Sequence, residues 1–135
     1  MIFRTLAVCF LLTASALAAE GEHKHEAKTF TSVAAGLTAL DAAVTQAKAK
    51  SAAGDFEALH KISEDLHGIS EGLEKRLGDV GAENKDRFKF NVGQVNALHE
   101  QLEAAHESKN KDDVARVIKR LEDVSGRLKA LAPAK

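Results

Sequence analysis

The chain has 135 residues, with 19 Lys and Arg against 20 Asp and Glu, a formal charge of −1 and 44% hydrophobic residues. This near-neutral balance excludes an electrostatic basis for binding nucleic acid or anionic lipid. The length is typical of a single domain. Because the sequence contains no Trp and no Tyr, we expect a largely aliphatic core.

Residues 1–18 are typical of a secretory signal peptide. Arg4 supplies the positive charge, a short apolar run follows, and residues 16–18, Ala-Leu-Ala, fit the small-x-small rule for cleavage. The apolar run is too short to span a bilayer, and no later segment replaces it, so we expect no membrane span in the mature chain. We therefore predict a periplasmic protein, with 117 residues remaining after cleavage.

Cleavage would also remove the only cysteine, Cys9, and the only methionine, Met1. The mature chain would then contain no thiolate ligand, no disulfide and no covalently attached c-type haem. A methionine axial ligand to haem is excluded for the same reason.

Residues 19–28 show no apolar periodicity and are predicted to form a mobile leader. Within it, His23 and His25 flank Lys24 and are candidate ligands for a soft or borderline cation. The copper-binding amino-terminal motif needs histidine in third position, whereas cleavage after Ala18 would put His23 fifth. The alternative is a solvated polar leader without a defined site.

Four amphipathic helices are predicted after the leader, at about 29–52, 56–77, 84–108 and from Asp112 or Asp113 to just before Pro133. In each, apolar residues recur at alternating steps of three and four, as in an a/d stripe. The predicted core stripes are Phe30, Val33, Leu37, Leu40, Val44 and Ala47; Leu59, Ile62, Leu66, Ile69 and Leu73; Phe88, Val92, Val95, Leu98, Leu102 and Ala105; and Val114, Val117, Leu121, Val124, Leu128 and Leu131.

Gly54 and Asp55 mark the first turn, with Gly54 ending one helix and Asp55 capping the next. Helices of similar length joined by short loops favour antiparallel neighbours. We therefore predict an all-α protein, an antiparallel up-down-up-down four-helix bundle after a cleaved signal peptide. Its bundle domain would span 29–135.

The second and third predicted helices share the phrase Ala-Leu-His, at 58–60 and 97–99. Each copy places two histidines seven residues apart, with a glutamate three residues before the second. Seven residues are nearly two helical turns, so each set lies on one stripe. The candidate metal ligands on these stripes are His60, Glu64, His67, His99, Glu103 and His106.

Heptad positions place these histidines beside the core and the glutamates toward solvent. In an antiparallel hairpin centred near residue 83, His60 would lie level with His106, and His67 with His99. Within one helix, His60 and His67 are about 10.5 Å apart along the axis, too far to share an ion. A site therefore needs both helices, or a histidine with the glutamate four residues after it.

Imidazole and carboxylate together suit a divalent transition metal such as Cu, Ni, Zn or Co. We therefore expect a non-enzymatic periplasmic protein that binds or buffers such an ion through surface histidines. The alternative is a structural protein that binds a periplasmic protein partner through its Ala-rich faces, with no metal. No activated nucleophile and no phosphate-binding glycine loop is recognisable, so we do not expect an enzyme.

Residues 92–95 read Val-Gly-Gln-Val, after Asp-Arg-Phe at 86–88 and before the fourth predicted helix. In this half, the chain resembles the cytochrome b562-like class of small periplasmic four-helix bundles. The resemblance implies a four-helix-bundle topology and a periplasmic location. Members of this class hold a haem through a methionine near the start of the first helix and a histidine near the end of the fourth. This sequence has neither residue there, which argues against a conventional haem site. A b-type haem held by two other histidines is a third alternative.

Overall fold

The computed structural model describes residues 26–133. This part of the chain contains no strand and four α-helices: α1 (Val33–Ala53), α2 (Phe56–Glu74), α3 (Ala82–Glu107) and α4 (Lys111–Leu131), with a 3-10 turn at Leu77–Asp79. The predicted all-α class is confirmed. Within 26–133, no helix has an apolar stretch long enough to cross a membrane. The predicted signal peptide, His23 and His25 lie outside the described residues.

Short polar side chains fix where the helices begin. Ser32 accepts a hydrogen bond from the amide of Ala35, so α1 begins at Val33 rather than near residue 29. Asp55 caps α2 as predicted, after Gly54 ends α1 with a φ of 70°.

The cap of α4 differs from its prediction. Asn110, and neither of the two aspartates that follow it, caps this helix, because its side-chain oxygen accepts from the amides of Asp112 and Asp113. The two aspartates instead lie in the first turn, where their charge favours the positive end of the helix dipole. The helix begins at Lys111, two or three residues earlier than a cap at Asp112 or Asp113 predicts.

The predicted aliphatic stripes form the core. Every residue named for them is buried except Phe30, which is partly buried against the core. Helix α1 contacts α2 and α4, and α3 contacts the same two helices. Each helix thus has two neighbours, an arrangement consistent with a four-helix bundle.

Residues 26–31, which we call the strap, lie across α2 before α1 begins. The amide of Lys28 donates to the carbonyl of Gly68 at 3.0 Å. The ammonium of Lys28 forms an ion pair with Asp65 at 2.6 Å. Just beyond the end of α2, Arg76 donates to the carbonyl of Thr31 in the strap at 3.0 Å. The strap is therefore held on α2 through both its backbone and a side chain.

Glycines on α2 allow the backbone of the strap to approach this closely. A Cβ at Gly68 would lie 2.9 Å from the carbonyl oxygen of Glu26, and a Cβ at Gly72 would lie 2.6 Å from the ring of Phe30. Any larger residue would therefore displace the strap. Residues 26–28 were predicted as part of the mobile leader, but the hydrogen bond to Gly68 fixes them on α2.

We expect Gly72→Ala to lower the free energy of unfolding by about 1–3 kcal/mol, because the added methyl group overlaps the strap. Gly126→Ala is the matched control: no atom lies within 4 Å of its Cβ, so it should gain up to about 1 kcal/mol from better helix propensity. Urea unfolding followed by circular dichroism measures both variants. Equal stability of the two variants would contradict this account of the strap.

Candidate metal centre

The structure brings the four helical histidines together as two pairs, as the predicted register requires. The ring centroids of His60 and His106 are 5.1 Å apart, and those of His67 and His99 are 4.7 Å apart. We call these the first pair and the second pair. The earlier histidine of α2 thus meets the later histidine of α3.

One carboxylate contacts a nitrogen of each ring of the first pair. His60 Nδ1 donates to Glu103 Oε1 at 2.7 Å, and His106 Nε2 lies 3.2 Å from the same oxygen. Candidate ligand atoms of these three residues all lie within 4.8 Å of one another. Among residues 26–133, this is the one group of three or more such side chains with that spacing. The first pair and Glu103 therefore form the candidate metal centre.

Glu103 does not face solvent as the heptad assignment predicted. Its side chain is 33% exposed and occupies the groove between α2 and α3. A helical side chain leans toward the start of its own helix and can reach a groove beside the core from a flanking position. The two imidazoles, which supply its hydrogen bond and ion-pair partners, draw the carboxylate into this groove.

The surroundings of Glu103 shift its acidity. Burial raises the pKa of Glu103, whereas contacts with His106, Ser63 and His60 lower it, and the net result lies below the ordinary value of a glutamate. The interactions that favour the charged carboxylate therefore outweigh the cost of removing it from water. Glu103 is ionised at neutral pH, in the form that binds a cation.

His106 contributes a ring nitrogen that is ready to bind. Its side chain is 14% exposed, and its Nε2 is fully shielded from solvent without making a hydrogen bond. A buried polar atom without a hydrogen bond is unusual in a native protein. The contact of His106 Nε2 with Glu103 Oε1 at 3.2 Å is an ion-pair distance without a hydrogen bond, and an ion bound beside Glu103 would coordinate this nitrogen directly.

The distances suit a metal after small side-chain movements. With metal–nitrogen and metal–oxygen bonds of about 2.0–2.1 Å, tetrahedral ligand atoms lie roughly 3.3 Å apart. The separation of 3.2 Å between His106 Nε2 and Glu103 Oε1 already matches this value. The separation of 2.7 Å at His60 Nδ1 is a hydrogen-bond distance and must widen when an ion replaces the proton.

Glu64 lies on the other side of the His60 ring and is not part of the group of three. Its Oε1 is 3.6 Å from His60 Nε2, whereas Glu103 faces Nδ1. The two glutamates therefore approach different nitrogens of one imidazole. The sequence treated them as equivalent, because each follows an Ala-Leu-His phrase at the same spacing.

The second pair has different chemistry. His67 Nδ1 donates to the side-chain oxygen of Asn96 at 3.0 Å, and His99 Nδ1 donates to the backbone carbonyl of Asn96. Here an amide takes the place that the carboxylate has in the first pair. Glu71 approaches His67 Nε2 at 3.5 Å, as Glu64 approaches His60. Only the first pair thus combines two imidazoles with a shared carboxylate.

Asn96 and Glu71 were missed by the sequence analysis. Glu71 lies four residues after His67, the same spacing as from His60 to Glu64, so that spacing could have revealed it. Asn96 lies three residues before His99, but Asn is common on helix surfaces and gives no signal of its own.

Comparison with known proteins adds no relative: no protein-family model, curated protein or solved structure matches the chain. Nothing in these comparisons links the chain to the cytochrome b562-like class, and that resemblance stays a prediction from the sequence.

The lowered pKa of Glu103 predicts how acid affects the metal-free protein. Because its folded pKa lies below the unfolded value, the ionised carboxylate stabilises the fold above the unfolded pKa, and this stabilisation is lost as pH falls through the folded pKa. We therefore expect the stability difference between the natural chain and Glu103→Gln to shrink between about pH 5 and about pH 3. Urea unfolding in the presence of a chelator measures this difference. A difference that stays constant or grows with acid would contradict the assignment.

Proposed function

We propose that this chain is a secreted periplasmic protein that binds or buffers a divalent transition metal, without catalysing a reaction. The ion would bind at His60, Glu103 and His106. The observation that carries the proposal is the convergence of these three side chains, from two helices, on one point in the groove. The apolar run and Ala-Leu-Ala sequence at the amino terminus support export.

We also propose that the helices form an antiparallel up-down-up-down bundle. Contacts between α1 and α4 run in reverse order, since Asp41 meets Lys129 and Lys48 meets Glu122. The histidine pairs run in reverse order between α2 and α3 in the same way. An antiparallel bundle keeps the site rigid, because core side chains on both faces of the hairpin fix its register.

The ligand set limits the choice of ion. Two imidazoles and one carboxylate suit Zn, Cu(II), Ni or Co, whereas Mg and Ca prefer oxygen ligands. Three protein ligands leave at least one coordination position for another ligand. Such an incomplete set suits reversible binding.

In the metal-bound state, Glu64 has a distinct role as the partner of His60. An ion on Nδ1 leaves the ring proton on Nε2, the nitrogen that faces Glu64 Oε1 at 3.6 Å. A carboxylate that accepts this proton fixes the tautomer and orients the ring, as is usual for metal-bound histidines. Glu64 would thus hold His60 in place without binding the ion itself.

The two histidine pairs provide a matched test of the site. We expect His60→Ala with His106→Ala to abolish saturable binding of Zn(II) or Cu(II), because two of three ligands are lost. The control, His67→Ala with His99→Ala, removes the same number of imidazoles from the second pair and should change affinity by less than about threefold. Isothermal titration calorimetry on protein without an added histidine tag measures both.

Unchanged binding in the first-pair variant would contradict the proposal. Equal losses in the two double variants would also contradict it, because they would indicate non-specific binding to surface imidazoles.

A second matched comparison tests the role of Glu64. We expect Glu64→Gln to weaken metal binding by about 10–100-fold, the usual cost of losing the partner of a metal-bound histidine. Glu71→Gln is the control, because Glu71 has the same four-residue spacing and a similar distance, 3.5 Å, to His67. Competition with a chromogenic chelator measures both affinities. Equal affinities of the two variants would show that Glu64 has no such role.

Phe90 favours the alternative function, binding of a periplasmic protein partner. It is 66% exposed, the one large hydrophobic residue so exposed among the residues that the structure describes. The experiment on the histidine pairs separates the two functions. If partner binding is the function, the natural chain and the first-pair variant will bind metal equally weakly.

A further inference from the structure

Polar side chains line the groove between α2 and α3 in four levels. Each level joins one residue of α2 to one residue of α3, and the contacts are His60 with His106, Ser63 with Glu103, His67 with His99, and Ser70 with Asn96. Each step of three or four residues forward along α2 is matched by an equal step backward along α3. Residues at these spacings share one face of a helix. Each histidine pair is therefore followed by a level at which a serine meets an oxygen acceptor.

The two serines of this groove are buried, with exposed fractions of 0% for Ser63 and 2% for Ser70. A buried hydroxyl needs an acceptor within the protein, because water does not reach it. Ser70 has one in its own helix, where it donates to the carbonyl of His67 at 2.8 Å. Ser63 instead donates across the groove, to the carbonyl of His99 on α3 at 2.9 Å. The Ser63 hydroxyl thus links α2 to the helix that carries Glu103.

The carboxylate of Glu103 is a second acceptor within reach of the Ser63 hydroxyl. A serine has a single proton to donate and rotates to place it. A hydrogen bond to a charged carboxylate is stronger than one to a neutral carbonyl. The carbonyl of His99 keeps a partner when the proton turns away, because within α3 it also accepts from the amide four residues later. Donation to Glu103 therefore leaves no buried acceptor without a hydrogen bond.

A carboxylate that binds a metal needs such a donor. When an ion takes one oxygen of Glu103, the other oxygen needs a hydrogen-bond partner, as is usual for carboxylates that ligate metals. The Glu103 side chain is 33% exposed, so water can compete for it and other rotamers are open to it. Fixing a glutamate in one rotamer costs conformational entropy. A buried hydroxyl that is already in place offsets part of this cost before the ion arrives.

We infer that Ser63 is a positioning residue of the candidate metal centre, whose buried hydroxyl holds the carboxylate of Glu103 in the groove for the ion. This inference rests on the proposed function. It gives a reason for a fully buried serine on the face of α2 that otherwise packs leucines and isoleucines. At the equivalent level, Ser70 meets the uncharged amide of Asn96, so the hydroxyl there has no metal ligand to hold.

The two serines provide a matched pair of variants. We expect Ser63→Ala to weaken Zn(II) binding about tenfold, the lower end of the usual cost of losing the partner of a metal ligand. Ser70→Ala is the control, because it removes the same buried hydroxyl from the level of Asn96, and it should leave the affinity within about threefold of the natural chain. Competition with a chromogenic chelator measures both affinities, and urea unfolding measures the stability that each variant loses.

Two further measurements separate positioning from a purely structural effect. In metal-free protein, NMR couplings across the Cα–Cβ bond of Glu103 should show one rotamer in the natural chain and in Ser70→Ala, but an average of several in Ser63→Ala. With Co(II), the visible absorption bands, which report ligand geometry, should shift in Ser63→Ala alone. If Ser63→Ala fails to fold, Ser63→Cys takes its place, because a thiol of similar size donates only weakly. Unchanged couplings and bands would overturn the inference.

The results separate the inference from the proposed function. If loss of the first pair abolishes Zn(II) binding while Ser63→Ala binds as tightly as the natural chain, the inference is wrong and the proposed function stands. If the variant without the first pair binds Zn(II) as the natural chain does, both are wrong.

Discussion

The register of α2 against α3 determines which side chains meet in the groove between these two helices. Buried leucines and isoleucines on α2 and buried valines and leucines on α3 fix that register, since sliding by one turn would move the helices by about 5.4 Å and bury different residues. In this register, His60 packs against His106, and Glu103 contacts both rings. The functional groups lie outside the core, but the packing of the core sets their distances.

A second constraint comes from close approach of backbone to backbone. Gly68 and Gly72 leave α2 without side chains at two positions, and the strap fills that space. Glycine costs helix stability, so the hydrogen bond from Lys28 to Gly68 and the packing of Phe30 must offset part of this cost. The segment before α1 thus becomes part of the folded unit.

Sequence periodicity predicted the four helices, nearly every core residue and the pairing of the histidines, because all of these follow from helical geometry. It did not distinguish the two pairs. Glu103 and Asn96 each precede a histidine of α3 by three residues, but whether such a side chain turns toward the facing histidine of α2 depends on its rotation in the groove, which spacing does not encode. The docking of residues 26–28 was also missed, because it depends on contacts with glycines some 40 residues away along the chain.

The most direct measurement is the position of a bound ion, located by anomalous diffraction from crystals grown with Zn(II). The account predicts one strong peak in the groove between α2 and α3, about 2.0–2.2 Å from His60 Nδ1, His106 Nε2 and a carboxylate oxygen of Glu103. A peak at the second pair, or crystals with no ordered ion at His60 and His106, would contradict it.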